Sequence, residues 1–563
     1  MAIKEAKRNE QGDIQEAGKS KAESLIDKFK QLKGGRSNFE SYWQTLHDYF
    51  YVEAQDINKS YYPGTELDST YLYDGTTLET ADVLASGFMN YLTPPTSKWF
   101  RLRAKSPELT ENKAVSDYLE GVTEEVYLAL NRSNFYHQII SGYKSSGVYG
   151  TACLLEEEDL TDDIRFYNMP IKQICIAEDA AGRVVEHYIE FEYTAFQAAT
   201  RWGVESLATE MQAEVKKRNP DKKYPFLLYI GKRHIREIQK FNKQNMPIQA
   251  VWVDIKNKKV IDEGGYQEFP AMTHRFDKRP FISWGYSPAM KALPFARMLN
   301  AIAKTNLRAM MKHTDPPVAV PDNAFLLPFN ANPRAVNYYD KRKMEGKDIF
   351  AFGNFGNPQV GMTALEYYTQ KVKALMFNDV FLAFEGLDKQ MNNPEVMERI
   401  NEKMTMLGPA VGRFTSEVLN PIIIRTIGIL FRKGKLGEPP DELRMNPNYE
   451  IDYIGALAQS QKRSQLNSLV TALTMAGQMA QFSPDILDKV NGDKAVNEVW
   501  DTVGAPVSVL RDDEEVEQIR SARAQEQAKA QELQMLGAGT QIAETASKVD
   551  KNVADAKSRV TNA

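Results

Sequence analysis

The hydrophobic texture of this chain changes twice along its length, and that change restricts the folds open to it more than any single motif does. Between about residues 150 and 283 the segments 164–167, 174–176, 184–193, 226–230 and 249–253 are short and rich in β-branched and aromatic residues, the composition of strands. On the N-terminal side, apolar residues recur at helical spacing over 39–50, 78–92 and 115–130, and Pro94-Pro95 stops the second run. On the C-terminal side the helical period returns over 291–314, 364–384 and 395–431. Pro316-Pro317 ends the first of these, while Gly408-Pro409 and Pro421 put bends in the last. Sheet enclosed by helices in this order predicts an α+β fold, mainly helical. A loose polar arm with a helix near 22–32 precedes it, and shorter helices over 460–482 and 484–490 follow. The last segment, 512–563, is rich in Ala, Gln, Glu and Lys and reads either as a long exposed helix or as a disordered tail.

Bulk properties exclude several functions. At 563 residues the chain can bury several cores, three or four by length alone. A net charge of -5 is wrong for a protein that coats nucleic acid, which needs a broad basic surface, so any contact with DNA must be local. Cys153 and Cys175 are too few for a disulfide framework and lack the CxxC spacing of a zinc site, which predicts a reducing compartment. The most apolar runs, 422–431 (interrupted by Arg425) and 83–92, fall short of the roughly 18 residues of a membrane span. The charged start (Lys4, Glu5, Lys7, Arg8, Glu10) has no apolar stretch of the kind a secretory signal needs, so no export is expected.

Nothing in the motifs makes an enzyme. Gly12 to Gly18-Lys19-Ser20 has five residues between its glycines where a phosphate loop needs four, and no strand precedes it. Gly285-Tyr286-Ser287-Pro288-Ala289 resembles a nucleophile elbow, but the residue after the serine must donate its N–H to the oxyanion and Pro288 has none. The six histidines (His47, His137, His187, His234, His274 and His313) include no i, i+4 pair that would set two imidazoles on one metal. Glu156-Glu157-Glu158-Asp159 and Asp512-Asp513-Glu514-Glu515 are runs rather than separated pairs, and read as a solvated loop and a helix N-terminus. No cofactor and no metal are expected.

Two helices carry more information. The segment 291–314 holds Lys291, Arg297, Lys304, Arg308 and Lys312 and no acid. At about 100° per residue Arg297, Lys304, Arg308 and Lys312 fall within a stripe roughly 80° wide, apart from an apolar stripe through Ala296, Leu299, Ala303, Leu307 and Met310. Such a face either pairs with acids on a neighbour or meets phosphates. The segment 364–384 has two apolar faces, one through Leu365, Tyr368, Val372 and Leu375 and one through Tyr367, Phe377 and Phe381. It should be covered on both sides, as in a globular core or between identical neighbours in a ring. The polar, Pro-rich insert 315–361 joining the two helices, with Lys341-Arg342-Lys343, favours the ring.

With these segments in view, several blocks fall in a familiar order. They are TTLETADVLASGFMNYLTPPTSKWFRL at 76–102, Ser133-Asn134-Phe135-Tyr136, and Gly147-Val148-Tyr149-Gly150-Thr151-Ala152. Tyr286-Ser287-Pro288-Ala289 through Leu293-Pro294 to Leu299-Asn300 comes next, then Leu407-Gly408-Pro409 through Gly412-Arg413 to Leu419-Asn420-Pro421. Over roughly 40–520 the chain resembles the portal, or head-to-tail connector, proteins of short-tailed T7-like phages. It departs at Met391-Asn392-Asn393-Pro394, where relatives more often carry a Thr-containing turn.

The resemblance implies a portal fold with wing, stem, clip and crown, assembling as a ring. In that scheme 1–290 are an N-terminal arm and α/β wing, 291–314 and 362–386 two stem helices, 315–361 a clip and 387–394 a tunnel loop. Residues 395–437 are then a bent wing helix, 438–511 a helical crown, and 512–563 a helical barrel or tail. The implied function is a non-enzymatic channel at the capsid vertex for DNA packaging and ejection, docking the terminase motor and later the tail. The implied partners are further copies in a ring of twelve, double-stranded DNA, terminase, major capsid or scaffolding protein and a tail adaptor, with no membrane; the protein would assemble in the host cytoplasm and end in the virion. Twelve helices each about 10 Å across, side by side, enclose an opening somewhat under about 30 Å. In this frame Lys389, Lys371, Lys373, Arg297, Lys304 and Arg308 are the candidates to face DNA. Lys341, Arg342 and Lys343 are those for terminase or tail docking, and Tyr367, Phe377 and Phe381 those for packing between subunits. A ring-forming helical adaptor or scaffold without a DNA channel, or a hydrolase, are the rival readings.

Overall fold

The computed structural model describes residues 6–8, 14–16, 20–54, 56–58, 69–106, 109, 112–217, 222–234, 236–237, 242–314, 318–319, 342, 350–351, 358–385, 407–445, 449–454, 468–479, 490–503, 511, 515–529, 548–549 and 551. The expected tunnel loop with Lys389, most of the insert with Lys341 and Lys343, residues 395–406, and nearly all of the helix expected at 484–490 lie outside the described residues. The chain divides into two compact units, where length suggested three or four. One holds residues 1–102, 121–438 and 451–461; the other holds 103–120, 439–450 and 462–563. The second unit is helical among its described residues outside its short strand ends, with Arg520 paired to Asp493 at 2.6 Å.

The first unit opens with a hairpin, β1 (Ala6–Arg8) and β2 (Ile14–Glu16), followed by α1 (Lys21–Phe50). Ser20 caps α1: its hydroxyl accepts from the Glu23 N–H and the Glu23 carboxylate accepts from the Ser20 N–H. That is the role of the serine in the loop-like Gly18-Lys19-Ser20. The helix runs through Gly34-Gly35, so the two helical runs expected at 22–32 and 39–50 are one. Next come α2 (Thr76–Leu92), β3 (Phe100–Ala104), α3 (Lys113–Arg132) and α4 (Phe135–Tyr149). The sheet region then runs β4 (Thr151–Asp159), β5 (Asp163–Met169), β6 (Ile174–Glu178), β7 (Val184–Thr194), α5 (Ala195–Trp202), α6 (Thr209–Lys217), β8 (Lys223–Lys232), β9 (Ile248–Asp254), β10 (Lys259–Tyr266) and β11 (Ala271–Arg275). The pair β12 (Asp277–Lys278) and β13 (Gly285–Tyr286) closes it. After it stand α7 (Pro288–Thr314), β14 (Val318–Ala319), β15 (Phe350–Ala351), α8 (Pro358–Leu375), α9 (Asn378–Glu385) and α10 (Leu407–Arg432); α11 (Asp441–Met445) belongs to the second unit, and β16 (Tyr449–Tyr453) leads back into the first.

All five expected strand segments are strands, and together with β10 and β4 and β11 they make two antiparallel sheets of order β10-β9-β8-β7-β6 and β11-β4-β5. Strand side chains alternate faces, so Tyr188, Leu227, Tyr229, Val251 and Val253 line one side of the larger sheet with Cys175. Ala22, Ile26 and Phe29, at helical spacing on α1, cover that side. Phe191, Phe226 and Trp252 line the other side, with Trp202 of α5 at 5.1 Å from both Phe226 and Trp252. Burial of each such aromatic or aliphatic side chain contributes about 1.5–3 kcal/mol. Cys153 and Cys175 are buried in these layers as free thiols, and burial pushes them up to about 12 and about 11.

The acidic run 156–159 is the end of β4 and not a solvated loop. Glu156 is fully buried because α10 brings Arg425 to it: the Arg425 Nε donates to the Glu156 carbonyl at 3.2 Å, and the Thr426 hydroxyl to its carboxylate at 3.0 Å. Burial pushes the Glu156 carboxyl up to about 8, against the pull of Arg425. At the end of α10, Arg432 pairs with Glu158 (3.2 Å) and Glu268 (2.7 Å), and just past it Lys433 pairs with Asp163 (3.3 Å). The arginine that interrupts the apolar run thus anchors it. By length and composition α10 could cross a bilayer, which the run 422–431 alone could not; half of its most apolar 18-residue stretch is buried in this unit. Its irregularity lies at 415–419, a π-helical turn in which the Asn420 N–H donates to the Thr415 carbonyl. The wider turn makes room just ahead of Pro421, which has no N–H to offer.

Candidate functional site

The hairpin formed by α7 and α8 carries half of the residues expected to act. Its base is fixed by backbone contact between two of the sequence blocks. Gly150 (φ 79°) and Gly285 approach so closely that a Cβ on Gly150 would lie 2.3 Å from the Gly285 carbonyl oxygen, and one on Gly285 2.0 Å from that of Gly150. The Gly285 N–H donates to Thr151 (3.0 Å), and the Trp43 indole donates to the Tyr149 carbonyl (3.1 Å). Ser287 is fully buried: its hydroxyl donates to the Val148 carbonyl (2.7 Å) and accepts from the Met290 N–H (3.0 Å), capping α7. The segment read as an elbow is an anchor, and α7 starts at Pro288, three residues before the expected boundary.

The helices run antiparallel, with Phe295 6.4 Å from Tyr368 near the base and Gly361 against Asn306 farther out, where a Cβ would meet the Asn306 side-chain oxygen at 2.5 Å. The packed side of α7 passes through Ala296, Leu299 and Asn306, and the basic stripe lies half a turn away, on the outward side. Arg297 and Arg308 are exposed there, as is Lys371 on α8, 5.7 Å over the Tyr367 ring. Two candidates are engaged inside the subunit instead: Lys304 is half-buried over Tyr73 (5.0 Å), and Lys373 pairs with Glu79 at 3.3 Å. Asn300, quoted above only as the end of a sequence block, holds the same neighbouring segment by donating to the Tyr71 carbonyl (3.0 Å) and accepting from the Tyr73 N–H (2.7 Å). Within the expected insert, Arg342 is described and exposed.

The second helix differs from its expectation. It is two helices, α8 and α9, broken at Met376 and Phe377, and Phe377 adopts φ 58°, a left-handed backbone that disfavours a side chain by about 1–2 kcal/mol. The break turns Phe381 inward, so the second apolar face does not form. Phe381 is buried against α2, over Gly87 and near Phe88 (5.7 Å) and Tyr91 (5.8 Å), and does not lie on an outer surface. Phe377 is half-buried, and of the three expected packing residues Tyr367 alone is well exposed, at 56%. Exposed apolar area arises elsewhere. Met298, Leu307, Met310 and Met311 on α7 and Val360 and Met362 on α8 are all 42–68% exposed. The stripe predicted through Ala296, Leu299, Leu307 and Met310 is therefore buried at its base and bare toward its far end.

Other polar clusters are occupied. His47, Asp48 and Asp56 come near enough to hold a cation, but the Gln44 amide donates to Asp48 (2.8 Å) and to Asp56 (3.2 Å) and supplies the positive end itself. His187 meets Thr273 (2.7 Å) and His274 meets Ser146 (2.6 Å); both imidazoles are fully buried, and burial pushes each down to about 3.

A family model described as bacteriophage head to tail connecting protein matches residues 22–510. The chain belongs to that family. Among curated proteins it is similar to the portal protein of Salmonella phage epsilon15, 29% identical over 547 residues that cover 96% of this chain and 98% of the relative. The probable portal protein of Bordetella phage BPP-1 is 28% identical over the same coverage. The head-to-tail connector match spans both the α/β body and the hairpin, so the anchor, the antiparallel register and the outward basic stripe are features of a connector chain.

Proposed function

We propose that this chain is a phage portal protein, a virion component at the capsid vertex whose copies form a ring that DNA crosses during packaging and ejection. The observation that carries the reading is similarity to two phage portal proteins over nearly their whole length. The hairpin supports it: a channel wall needs helices held firmly at one end, with cations on one side and apolar side chains left for neighbouring copies. In this reading α7 and α8 are the stem helices, and Met298, Leu307, Met310, Met311, Val360, Met362 and Tyr367 are the surface that adjacent copies cover. Arg297, Arg308 and Lys371 are the stem cations available to DNA, with Lys389 beyond α9, while Lys304 and Lys373 brace the hairpin. A few outward cations on a mildly acidic chain suit DNA that must slide, because many phosphate contacts would bind tightly and with steep salt dependence. Lys341, Arg342 and Lys343 between the stem helices are the docking point for the motor or tail, and the role is structural rather than catalytic. Single-particle electron microscopy of the purified chain tests the proposal; rings of about a dozen copies with an axial opening support it, and closed particles without an opening favour a scaffold.

A further inference from the structure

Cations such as Arg275 and Arg425 are turned onto carboxylates and carbonyls of the α/β body itself, but one end of the five-stranded sheet is different. Because β7 pairs antiparallel with both β6 and β8, the turn 179–183 and the loop 232–247 leave the sheet at the same end. Arg183, Lys232, Arg236 and Lys243 stand exposed there, and none makes an ion pair with another described residue. The exposed acids of these turns are Asp179 and Glu237. Asp179 is taken up by its own turn, accepting from the Ala181 and Arg183 N–H groups at 2.9 Å each. Arg233 fixes the loop by donating to the carbonyls of Met246 (3.1 Å) and Gly264 (3.0 Å) and pairing with Glu263 (3.3 Å). The loop 279–284, between β12 and β13, is fastened to the same end. Lys278 donates to the Gly182 carbonyl (3.1 Å), the Ser283 hydroxyl donates to Glu178 (3.4 Å), and Trp284 is buried edge-on to Trp43 (4.9 Å). Exposed Arg279 lies 3.8 Å over the Tyr286 ring. At the tip, Phe281 is fully exposed (106%) and adopts φ 61°, a backbone that a bulky side chain avoids. A fastened loop that holds a bare ring in a strained conformation points to a contact outside the chain.

We propose that this end of the sheet is a docking surface for an acidic protein other than this chain. Phe281 is the anchor that enters an apolar cleft on that protein, and Arg183, Lys232, Arg236, Lys243 and Arg279 are the basic rim that meets its carboxylates. An aromatic anchor within a polar rim is the anatomy of a protein interface. Duplex nucleic acid would use the rim but has no cleft for the ring, because its bases are stacked on one another. A second copy is the poorer fit. Its carboxylates at Glu53 and Asp82, at Glu79, and at Glu158 and Glu268 already hold Lys144, Lys373 and Arg432. The surface is built from other elements than the α7–α8 hairpin, so it stands or falls separately from ring formation and from the DNA path.

Fluorescence anisotropy of the full-length protein with a labelled peptide of Glu-Glu-Leu repeats tests it, with a duplex DNA of equal charge as the second probe. Phe281→Gly suits the left-handed backbone and removes only the exposed ring. It should raise the Kd for the peptide at least fivefold without lowering the melting temperature. Arg183→Ala with Arg236→Ala and Lys243→Ala should raise that Kd at least tenfold, and a peptide of Gln-Gln-Leu repeats should bind the natural chain at least tenfold more weakly than the acidic one. Peptide binding that is absent in the natural chain, or unchanged by Phe281→Gly, overturns the proposal. Tighter binding of the duplex than of the peptide, lost in the triple variant, overturns it in favour of a nucleic-acid surface. Loss of higher assemblies of Phe281→Gly in light scattering overturns it in favour of a contact between copies.

Discussion

The α/β body and the helical hairpin use the same kinds of residue to opposite ends. In the core of the body, cations are turned inward and closed off. Arg36 donates to the carbonyls of Ile171 (3.2 Å) and Lys172 (2.9 Å), Arg275 bridges Glu178 and Glu417, and Arg425 sits on Glu156. Each ties a helix or strand to another that is far away in sequence. On the hairpin, Arg297, Arg308 and Lys371 face outward beside exposed methionines and leucine. The body turns these cations onto its own carbonyls and carboxylates, whereas the hairpin leaves cations and apolar side chains on its surface. Methionine suits such a surface, since its flexible thioether adapts to a neighbouring one.

The comparison breaks most visibly at Arg425. Arg425→Leu leaves the buried carbonyls of Glu156 and Glu268 without their donor and should destabilise the first unit by about 1–3 kcal/mol in urea unfolding. A loss under about 1 kcal/mol would mean the body does not depend on its inward charges.

The body should also carry a distinctive pH dependence. His187 and His274 titrate near 3 when folded and near 6.5 when unfolded, so as pH falls from 6.5 toward 3 the unfolded chain takes up protons that the folded chain refuses. Stability then drops by up to about 1.4 kcal/mol per pH unit for each histidine. Glu156 acts in the opposite sense: titrating near 8 when folded and 4.5 when unfolded, it loses stability as pH rises between those values. Two histidines outweigh one carboxylate below 6.5, which puts the stability maximum near that pH. His187→Gln with His274→Gln should flatten the acid limb, and Glu156→Gln the alkaline one, in melts across pH 4–9.

The hairpin should answer differently. Leu307→Asp with Met311→Asp should change chain stability by no more than about 0.5 kcal/mol, since both side chains are exposed, yet abolish higher assemblies in light scattering. Smaller still is the contrast among its cations. Lys373→Ala loses an exposed ion pair worth under about 1 kcal/mol and should leave DNA retention unaltered, while Arg297→Ala with Arg308→Ala should alter it at unchanged stability. Equal effects of both changes on DNA would remove the distinction between bracing and facing cations.

The strands at 164–167 and 184–193 and the helix at 291–314 were legible because their apolar residues repeat at the period of the element. The strand β4 was hidden because an acidic run reads as solvated; only the Arg425 that α10 brings across some 270 residues of chain makes Glu156 a core residue. The break at Phe377 was hidden for the same kind of reason. Local propensity favours a continuous helix, and a distant glycine on α2 overrides it. The basic stripe of α7 is legible from the helical period, but that Lys304 turns to Tyr73, and Lys373 of α8 to Glu79, depends on segments whose position the period does not encode.

The central claim is that the hairpin faces other copies of the chain and DNA. Electron microscopy of the purified full-length protein, imaged beside the Leu307→Asp, Met311→Asp variant, tests it most directly. The account predicts rings of about a dozen subunits with an axial opening somewhat under about 30 Å for the natural chain and single folded chains for the variant. Rings that persist unchanged in the variant, or a natural chain that remains monomeric at every concentration and salt, would contradict it.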